Sequence, residues 1–418
     1  MKAVIARAVV IKIGAVLSSF VLTMVLTRVM DQEQFGQYSL AITWVTLLSI
    51  IAPLGFPQLI LRERAGTGGV QRATLLLTTG TILAFGVVGL AAAWSATLWL
   101  ASDWGDLVPV ATLMLPTWGV IRVSSGIISG AGLINLGQAV DTLARPLLLL
   151  AAVGGVWWRG RQSLDAKTVL ELSLVTMAGL AVFVIWQGWA NRGKVQSAQW
   201  KANTLYSSSL WASVVIAAVS AAQLAMSSLD TLIIGWTMSV KDVALYRSAV
   251  LQCLAFTSIS EVLNVFLRPK IPAHLAAGRA RELETLIARA TQWATMFAFA
   301  GWLTYAAVGA PLSAWIFGEK YREAFAAALI LMGGQVAMIA IGPVDTVLIM
   351  GEKERVMLRI LLAGIAPFAL LAWTFGQRWG IEGVAVACVA VNVAQRLAGS
   401  LAAFKLLGMR VGLFLSWR

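Results

Sequence analysis

The chain has 418 residues, of which 59% are hydrophobic and only 12% are charged. Soluble domains carry about a quarter charged residues, so this composition excludes a soluble protein and predicts one that crosses the bilayer many times. The net charge of +13 would indicate nucleic-acid binding only in a soluble chain, and two cysteines with one histidine leave too few ligands for a disulfide framework, a metal site or a haem.

Long apolar runs divide the chain into twelve predicted membrane spans. A span needs about 20 apolar residues, and helices are expected because lipid cannot satisfy the backbone of an open sheet. The first six runs are 9–30, 38–61, 74–101, 107–130, 136–158 and 168–190. The second six are 206–236, 244–267, 291–317, 324–350, 356–375 and 380–404. The predicted fold class is therefore an all-α integral membrane protein.

Basic residues are distributed unevenly between the two sides of these spans. With a cytoplasmic N-terminus, 20 of the 32 Lys and Arg residues fall in inner segments, nine in outer segments and three within spans. Cytoplasmic loops accumulate Lys and Arg during insertion, so both termini are predicted to be cytoplasmic. The first run lacks a small-residue cleavage site and leads into further spans, so it is expected to remain as an uncleaved helix.

The two halves of the chain show a weak internal repeat. A shift of 208 residues matches Tyr38 with Tyr246, and each tyrosine follows the connection between the first two helices of its half. Six helices in each half give both halves the same orientation, as in parallel transporter repeats. The predicted parts are an N-terminal six-helix half over 1–190, a cytoplasmic linker over 191–205 and a C-terminal six-helix half over 206–418.

Four stretches carry a family resemblance. They are LTRVMDQEQFGQYSLAITWVTLLSIIAPLGFPQLILRE at 26–63, SLDTLIIGWTMSVKDVALYRSA at 228–249, RPKIPAHLAAGRARELETLIARATQW at 268–293 and IFGEKYREA at 316–324. In the first, an FGxY turn follows an arginine at the end of a helix. With these stretches the chain resembles the bacterial polysaccharide-export and O-antigen flippases of the multidrug, oligosaccharidyl-lipid and polysaccharide (MOP) exporter superfamily.

The resemblance implies a fold, a cargo and a location. The fold is MATE-like, with about 12 helices in two like-oriented halves. The cargo is a polyprenyl-diphosphate-linked oligosaccharide, the repeat unit of an O-antigen, capsule or exopolysaccharide, moved by alternating access from the cytoplasmic to the periplasmic leaflet of the bacterial inner membrane. Membrane lipid and the polysaccharide polymerase and co-polymerase proteins are the implied partners.

Arginines within the spans are candidates for binding this cargo. A charge at the centre of a span costs about 2.5 to 3.5 kcal/mol on insertion scales, so each needs a partner or a function. Arg122 and Arg396 have no acidic residue within four positions. We predict that both face a common water-filled cavity and bind a diphosphate, whose oxygens suit a guanidinium fork. The alternative is that they pair between helices with Asp230, Glu261 or Asp345.

Further polar residues in the spans complete the candidate sites. Asp141 and Arg145 lie four residues apart on one helical face and are either a self-neutralising pair or part of the cavity. Polar side chains suit a sugar, although they also join helices. The predicted substrate-cavity residues are Arg122, Arg145, Arg396, Asn392, Gln223 and Asn264.

Energy coupling is expected to use an ion or to run downhill. The sequence has no GxxxxGK[ST] motif, which argues against direct use of ATP. Carboxylates within spans can exchange protons, and they can equally be structural partners of the arginines. The predicted coupling-ion residues are Asp230, Glu261, Asp345 and Asp141.

Two other functions remain open. A drug or cation antiporter of the same superfamily shares the helical plan, but its cavity would favour acidic residues over arginines. A membrane-embedded glycan polymerase or ligase would need a catalytic region on the outer face, whereas every predicted outer loop is short. With one histidine and no paired acidic motif in an outer loop, the sequence predicts no catalytic residue and no enzymatic activity.

Overall fold

The computed structural model describes residues 2–51, 106–130, 136–137, 139–160, 164–190, 205–268 and 270–412. The regular elements in these ranges are helices. In the first part of the chain they are α1 (Lys2–Val29), α2 (Gln32–Ile51), α3 (Leu107–Gly130), a π-helical turn (Ala139–Ala144), α4 (Arg145–Trp158) and α5 (Ala166–Ala190).

The later helices are longer and more often interrupted. They are α6 (Leu205–Thr237), α7 (Val240–Gln252), α8 (Leu254–Leu267), α9 (Lys270–Ala276), α10 (Ala280–Phe317), a 3-10 turn (Glu319–Tyr321), α11 (Ala324–Ile341), α12 (Val344–Met350) and α13 (Glu354–Leu407). Helix α13 consists of two helices joined at a kink, because Trp379 and Gly380 have non-helical dihedral angles.

These helices agree with the predicted spans where the two can be compared. Within the described ranges six helices are long and apolar enough to cross a membrane, and a seventh is formed if α7 and α8 count as one span bent by 43°. The kink in α13 falls between the predicted spans 356–375 and 380–404. The predicted all-α fold is therefore confirmed. The span predicted at 74–101 lies outside the described residues, and the total of twelve stays a prediction.

The chain forms two compact units, residues 1–221 and 222–418. The predicted division into halves also stays a prediction, since residues 191–204 of its linker are outside the described ranges. In the first unit α3 packs on α5 and α2, and α1 packs on α4. The start of α5 is tied to α2 because the Ala166 backbone N–H donates to Gln34 Oε1 at 2.8 Å.

The second unit is built around α11. This helix packs against α7, α10 and α13, and α12 packs along α13. Small residues allow the helices to approach closely: a methyl group added at Gly334 of α11 would lie only 2.9 Å from Val389 Cγ1 of α13. The buried side chains include Tyr246, Phe317 and Tyr321.

Large apolar side chains are exposed along several helices. Trp158, which ends α4, is 89% exposed, and Trp293, Phe297 and Trp315 of α10 are each more than 70% exposed. Soluble monomers rarely expose contiguous apolar surface of this kind. The pattern is that of helices whose outer faces lie in lipid, with tryptophan near the helix ends.

Candidate functional site

The second unit encloses a cavity of about 310 Å³. Its walls come from α6, α7, α8, α11, α12 and α13, and they combine apolar side chains such as Met226 and Leu331 with a similar number of polar ones. The polar lining residues are Gln223, Ser227, Asp230, Thr257, Gln335, Asp345, Asn392, Gln395 and Arg396. Both cysteines of the chain, Cys253 and Cys388, also line this cavity.

An ion pair forms the charged part of the cavity wall. Arg396 Nη1 lies 3.1 Å from Asp345 Oδ1, and Nη2 donates to Oδ2 at 3.4 Å. The same Nη1 donates a shorter hydrogen bond, 2.7 Å, to the carbonyl of Gly342. The two charged side chains keep 21% and 22% of their surface exposed. Arg396 is therefore both paired and accessible from the cavity.

A break between α11 and α12 places this ion pair. Gly342 has a φ of 96°, a backbone conformation that residues other than glycine rarely adopt. Pro343 follows and has no N–H to continue the helix. The Gly342 carbonyl accepts from the Val344 N–H at 2.9 Å as well as from Arg396. The break thus presents a backbone carbonyl and, in the first turn of α12, Asp345 to the same guanidinium.

A second carboxylate, Asp230, lines the cavity but is only 4% exposed. Its Oδ2 accepts from the Tyr246 hydroxyl at 3.0 Å, and its Oδ1 accepts from the Thr231 N–H at 2.6 Å and the Thr231 hydroxyl at 3.2 Å. Tyr246 comes from α7, which begins with a capping box between Ser239 and Asp242. Buried polar groups that are bonded in this way fix the contact between α6 and α7.

Two amides on α13 extend the polar wall: Gln395 directly precedes Arg396, and Asn392 lies one turn before it. Asn392 Nδ2 donates to the Cys388 carbonyl at 2.9 Å. Gln395 Nε2 donates across to the Leu361 carbonyl at 3.2 Å, within the first segment of α13. Amide and hydroxyl groups of this kind can both donate to and accept from sugar hydroxyls.

The first unit contains a separate cluster of two arginines and a tryptophan. The Arg145 guanidinium carbon lies 4.1 Å from the ring centroid of Trp118, and that of Arg122 lies 5.8 Å from it. Arg122 Nε is buried and has no hydrogen-bond partner among the described residues. The side chain of Asp141 is outside the described set, so the predicted Asp141–Arg145 pair stays a prediction. A cavity shared by Arg122 and Arg396 also stays a prediction.

The structure brings together five of the residues predicted as a site. Gln223, Asp230, Asp345, Asn392 and Arg396 line one cavity. For Arg396 the structure shows the alternative prediction, an interhelical ion pair with Asp345.

Two other predicted residues have a different place. Glu261 and Asn264 lie on α8 outside this lining. Asn264 is buried and its Oδ1 accepts from the Thr346 hydroxyl at 2.9 Å, which joins α8 to α12. That contact is the helix-joining role that polar residues in spans often have.

Several lining residues were not predicted from the sequence. Gln335 is the single amide in the apolar run AFAAALILMGGQVAMIAI of α11, so its isolation was an available signal. Tyr246 lies behind the lining residue Asp230. The internal repeat indicates Tyr246, but only the structure shows that its hydroxyl donates to Asp230. Over the described residues no group of three or more His, Cys, Asp or Glu side chains is placed to hold a metal ion.

The chain matches a known protein family over more than half of its length. The family described as polysaccharide biosynthesis protein matches residues 4–266. The chain belongs to the polysaccharide biosynthesis protein family. This membership confirms the resemblance to polysaccharide exporters that the motifs carry. No curated protein matches the chain.

Solved structures show which fold this family member adopts. An inward-facing multidrug resistance MATE family transporter of the MOP superfamily matches with a TM-score of 0.68 at 15% identity, over 94% of each chain. The MATE multidrug transporter DinF-BH, solved as a complex, matches with a TM-score of 0.68 at 14% identity, over 97% of this chain and 95% of the other.

A third structure has a TM-score of 0.62 at 15% identity and covers 97% of this chain and 94% of its own. It is a MOP superfamily transporter from Pyrococcus furiosus, described as having a binding pocket of reverse polarity that suggests a different function. At these identities the likeness is one of fold. The predicted MATE-like fold is confirmed, and the protein is a multi-pass membrane protein.

Proposed function

We propose that this polysaccharide biosynthesis protein moves a polyprenyl-diphosphate-linked oligosaccharide from the cytoplasmic to the periplasmic leaflet by alternating access. The observation that carries the proposal is the cavity of the second unit, where one guanidinium lies among amides and hydroxyls. Family membership supports the same conclusion. In this proposal both termini are cytoplasmic, the membrane is the bacterial inner membrane, and polysaccharide polymerase and co-polymerase proteins receive the product.

The chemistry of the cavity suits the two polar parts of such a cargo. A diphosphate needs a cation, and Arg396 offers a planar set of donors that matches phosphate oxygens. Sugar hydroxyls need many neutral donors and acceptors, and Gln223, Gln335 and Asn392 offer them. Moving these groups directly through hydrocarbon would cost several kcal/mol for each unpaired polar group. A polar path between helices avoids that cost while the polyprenyl tail stays in lipid.

Coupling to an ion is part of the proposal. Asp230 and Asp345 are the carboxylates that line the cavity. Asp230 accepts hydrogen bonds from the uncharged groups of Tyr246 and Thr231. It also interacts electrostatically with Arg247. Asp345 is already neutralised by Arg396. We therefore place Asp230 first among the four predicted coupling residues.

A drug or cation antiporter is the second candidate, and two observations favour it. Two of the structural neighbours are described as multidrug transporters, and the cavity contains two carboxylates. Against it, one carboxylate is bound to Arg396, and an arginine in the cavity repels a cationic substrate. A cationic dye and an anionic lipid-linked sugar should therefore separate the two functions.

Purified protein in liposomes tests the proposal directly. A fluorescent polyprenyl-diphosphate sugar should become protected from a reductant outside the vesicles, without ATP, at a rate above that of empty liposomes. Arg396→Gln should abolish this movement and Arg396→Lys should restore part of it. Arg322→Gln is the matched control because its ion pair with Glu319 is exposed and lies outside the cavity.

Each result has a clear meaning. Transport of a rhodamine-type cation with no movement of the lipid-linked sugar would select the antiporter. Equal rates for Arg396→Gln and Arg322→Gln would remove the cavity from the proposal. An absolute need for ATP would contradict the proposed coupling.

A further inference from the structure

The three hydrogen-bonding distances around Arg396 are unequal. The bond to the Gly342 carbonyl measures 2.7 Å, whereas the two contacts with Asp345 measure 3.1 and 3.4 Å. Charge-assisted bonds between a guanidinium and a carboxylate are usually about 2.7 to 2.9 Å. The neutral carbonyl of Gly342 is therefore closer to Arg396 than the carboxylate of Asp345 is. Both contacts with Asp345 are longer than those a guanidinium and a carboxylate usually make.

The carboxylate is also the partner that can leave. Asp345 keeps 22% of its side-chain surface exposed and lines the cavity, so it can be solvated there when it separates from Arg396. The Gly342 carbonyl is fixed by the break itself, because it also accepts from the Val344 N–H. Arg396 can thus exchange the Asp345 carboxylate for another acceptor while it keeps its bond to the Gly342 carbonyl.

We propose that Asp345 is an internal anion that occupies Arg396 until a phosphate or diphosphate group in the cavity takes its place. This exchange rests on the proposed function, and it would control when the anion site at Arg396 is open to the cargo. Phosphate oxygens match the guanidinium fork as well as a carboxylate does. After the exchange Arg396 stays bonded to Gly342, and the Asp345 side chain is released from α13.

The exchange explains how cargo could act on the helix break. Asp345 joins α12 to α13 through Arg396, and the break at Gly342 and Pro343 joins α12 to α11 without continuous helical bonds. Loss of the ion pair removes the charged contact between α12 and α13, so that only the packing of α12 along α13 still holds the helix after the break. A ligand shifts such an equilibrium only by binding the two states differently, and an anion binds only the state in which Asp345 has left.

Pyrophosphate is the probe for this exchange. Titration calorimetry of the purified full-length protein should show weak binding to the wild type. Asp345→Asn removes the competing charge but keeps the side-chain shape, so it should bind pyrophosphate about tenfold more tightly, the low end of what close charge pairs contribute at interfaces. Arg396→Gln should lose binding, and Arg322→Gln should match the wild type.

The native cysteines supply a second readout. Cys253 and Cys388 are the only cysteines of the chain and both line the cavity. In this proposal the loss of the ion pair widens the cavity that both cysteines line, so N-ethylmaleimide should label Asp345→Asn several times faster than the wild type. The double variant Asp345→Asn/Arg396→Gln should accumulate normally, because neither charge is stranded, and it should not bind pyrophosphate.

The outcomes separate this inference from the proposed function. Equal pyrophosphate affinity in Asp345→Asn and wild type overturns the exchange, even if the lipid-linked sugar is transported. Tighter pyrophosphate binding without movement of a polyprenyl-diphosphate sugar keeps the exchange and removes the proposed cargo. If Asp345→Asn does not accumulate, Arg396→Lys decides. A lysine ammonium lacks the planar fork that binds the Gly342 carbonyl and a phosphate together, so pyrophosphate binding should weaken, and unchanged binding overturns the inference.

Discussion

Gly334 of α11 allows a close contact between α11 and α13, two helices that line the cavity. A methyl group at this position would lie 2.9 Å from Val389 Cγ1 and 3.1 Å from Val389 Cβ. Carbon atoms normally approach to about 3.5 to 4.0 Å. Rotation of the Val389 side chain moves its γ-carbons but leaves Cβ at 3.1 Å, so the two helices must also separate slightly. Gln335 follows Gly334 directly and lines the cavity, so a displaced helix would also move a lining residue.

The expected cost of Gly334→Ala follows from two opposing effects. Replacing glycine by alanine within a helix gains about 1 kcal/mol from backbone conformation. Overpacking of a dense helix contact costs about 1 to 3 kcal/mol. Gly179→Ala on α5 is the matched control, because nothing lies within 4 Å of a methyl group added there. The difference between the two variants should therefore be about 1 to 3 kcal/mol.

Thermal unfolding of the purified variants in detergent measures this difference. At about 2 °C for each kcal/mol, Gly334→Ala should melt about 2 to 6 °C below Gly179→Ala. Adding Val389→Ala to Gly334→Ala should be less damaging than the sum of the two single changes by about 1 to 2 kcal/mol. A melting temperature for Gly334→Ala equal to that of Gly179→Ala, or additive effects with Val389→Ala, would refute the close contact.

Three further predictions concern other parts of the chain. With cytoplasmic termini, an impermeant maleimide added to intact cells should label Lys320→Cys and not Ala277→Cys; the reverse pattern contradicts the topology. Thr346→Val removes the donor to buried Asn264 and should cost about 1 to 2 kcal/mol of unfolding free energy, while an unchanged melting temperature would show that the bond contributes nothing. Trp118→Leu removes the ring that lies 4.1 Å from the Arg145 guanidinium carbon. Because Trp118 is also buried, the change should cost more than the roughly 1 kcal/mol of the cation–π contact, and an unchanged melting temperature in the same assay would contradict this packing.

The sequence predicts the helices well because lipid imposes a simple rule. A helix in hydrocarbon must be apolar for about 20 residues, so its extent is readable from composition alone. The run 107–130 coincides with α3, and 324–350 covers α11 and α12. The internal break at Gly342 and Pro343 was visible only as a proline in a span. That it turns a carbonyl toward Arg396 depends on a contact 54 residues away in the chain.

The candidate site was predictable in its members but not in its bonds. Charged and amide side chains in spans stand out because each is costly there, and five of those predicted line one cavity. Partner choice depends on helix rotation and packing, which the sequence pattern does not fix. The sequence does not distinguish Asp230, Glu261 and Asp345 as partners for Arg396, and the break before α12 is what places Asp345 beside it.

For Arg396 the sequence allows either an ion pair with a carboxylate or substrate binding, yet in a membrane the two belong to one mechanism. An arginine that waited unpaired in a span would carry the full cost of a buried charge throughout the resting state. If the carboxylate partner were bound too tightly, an anionic cargo could not displace it from the arginine. The long contacts with Asp345 and the short bond to Gly342 meet both requirements. The guanidinium is neutralised at rest and stays paired when an arriving phosphate takes the place of Asp345, while the displaced Asp345 carboxylate is solvated in the cavity that it lines.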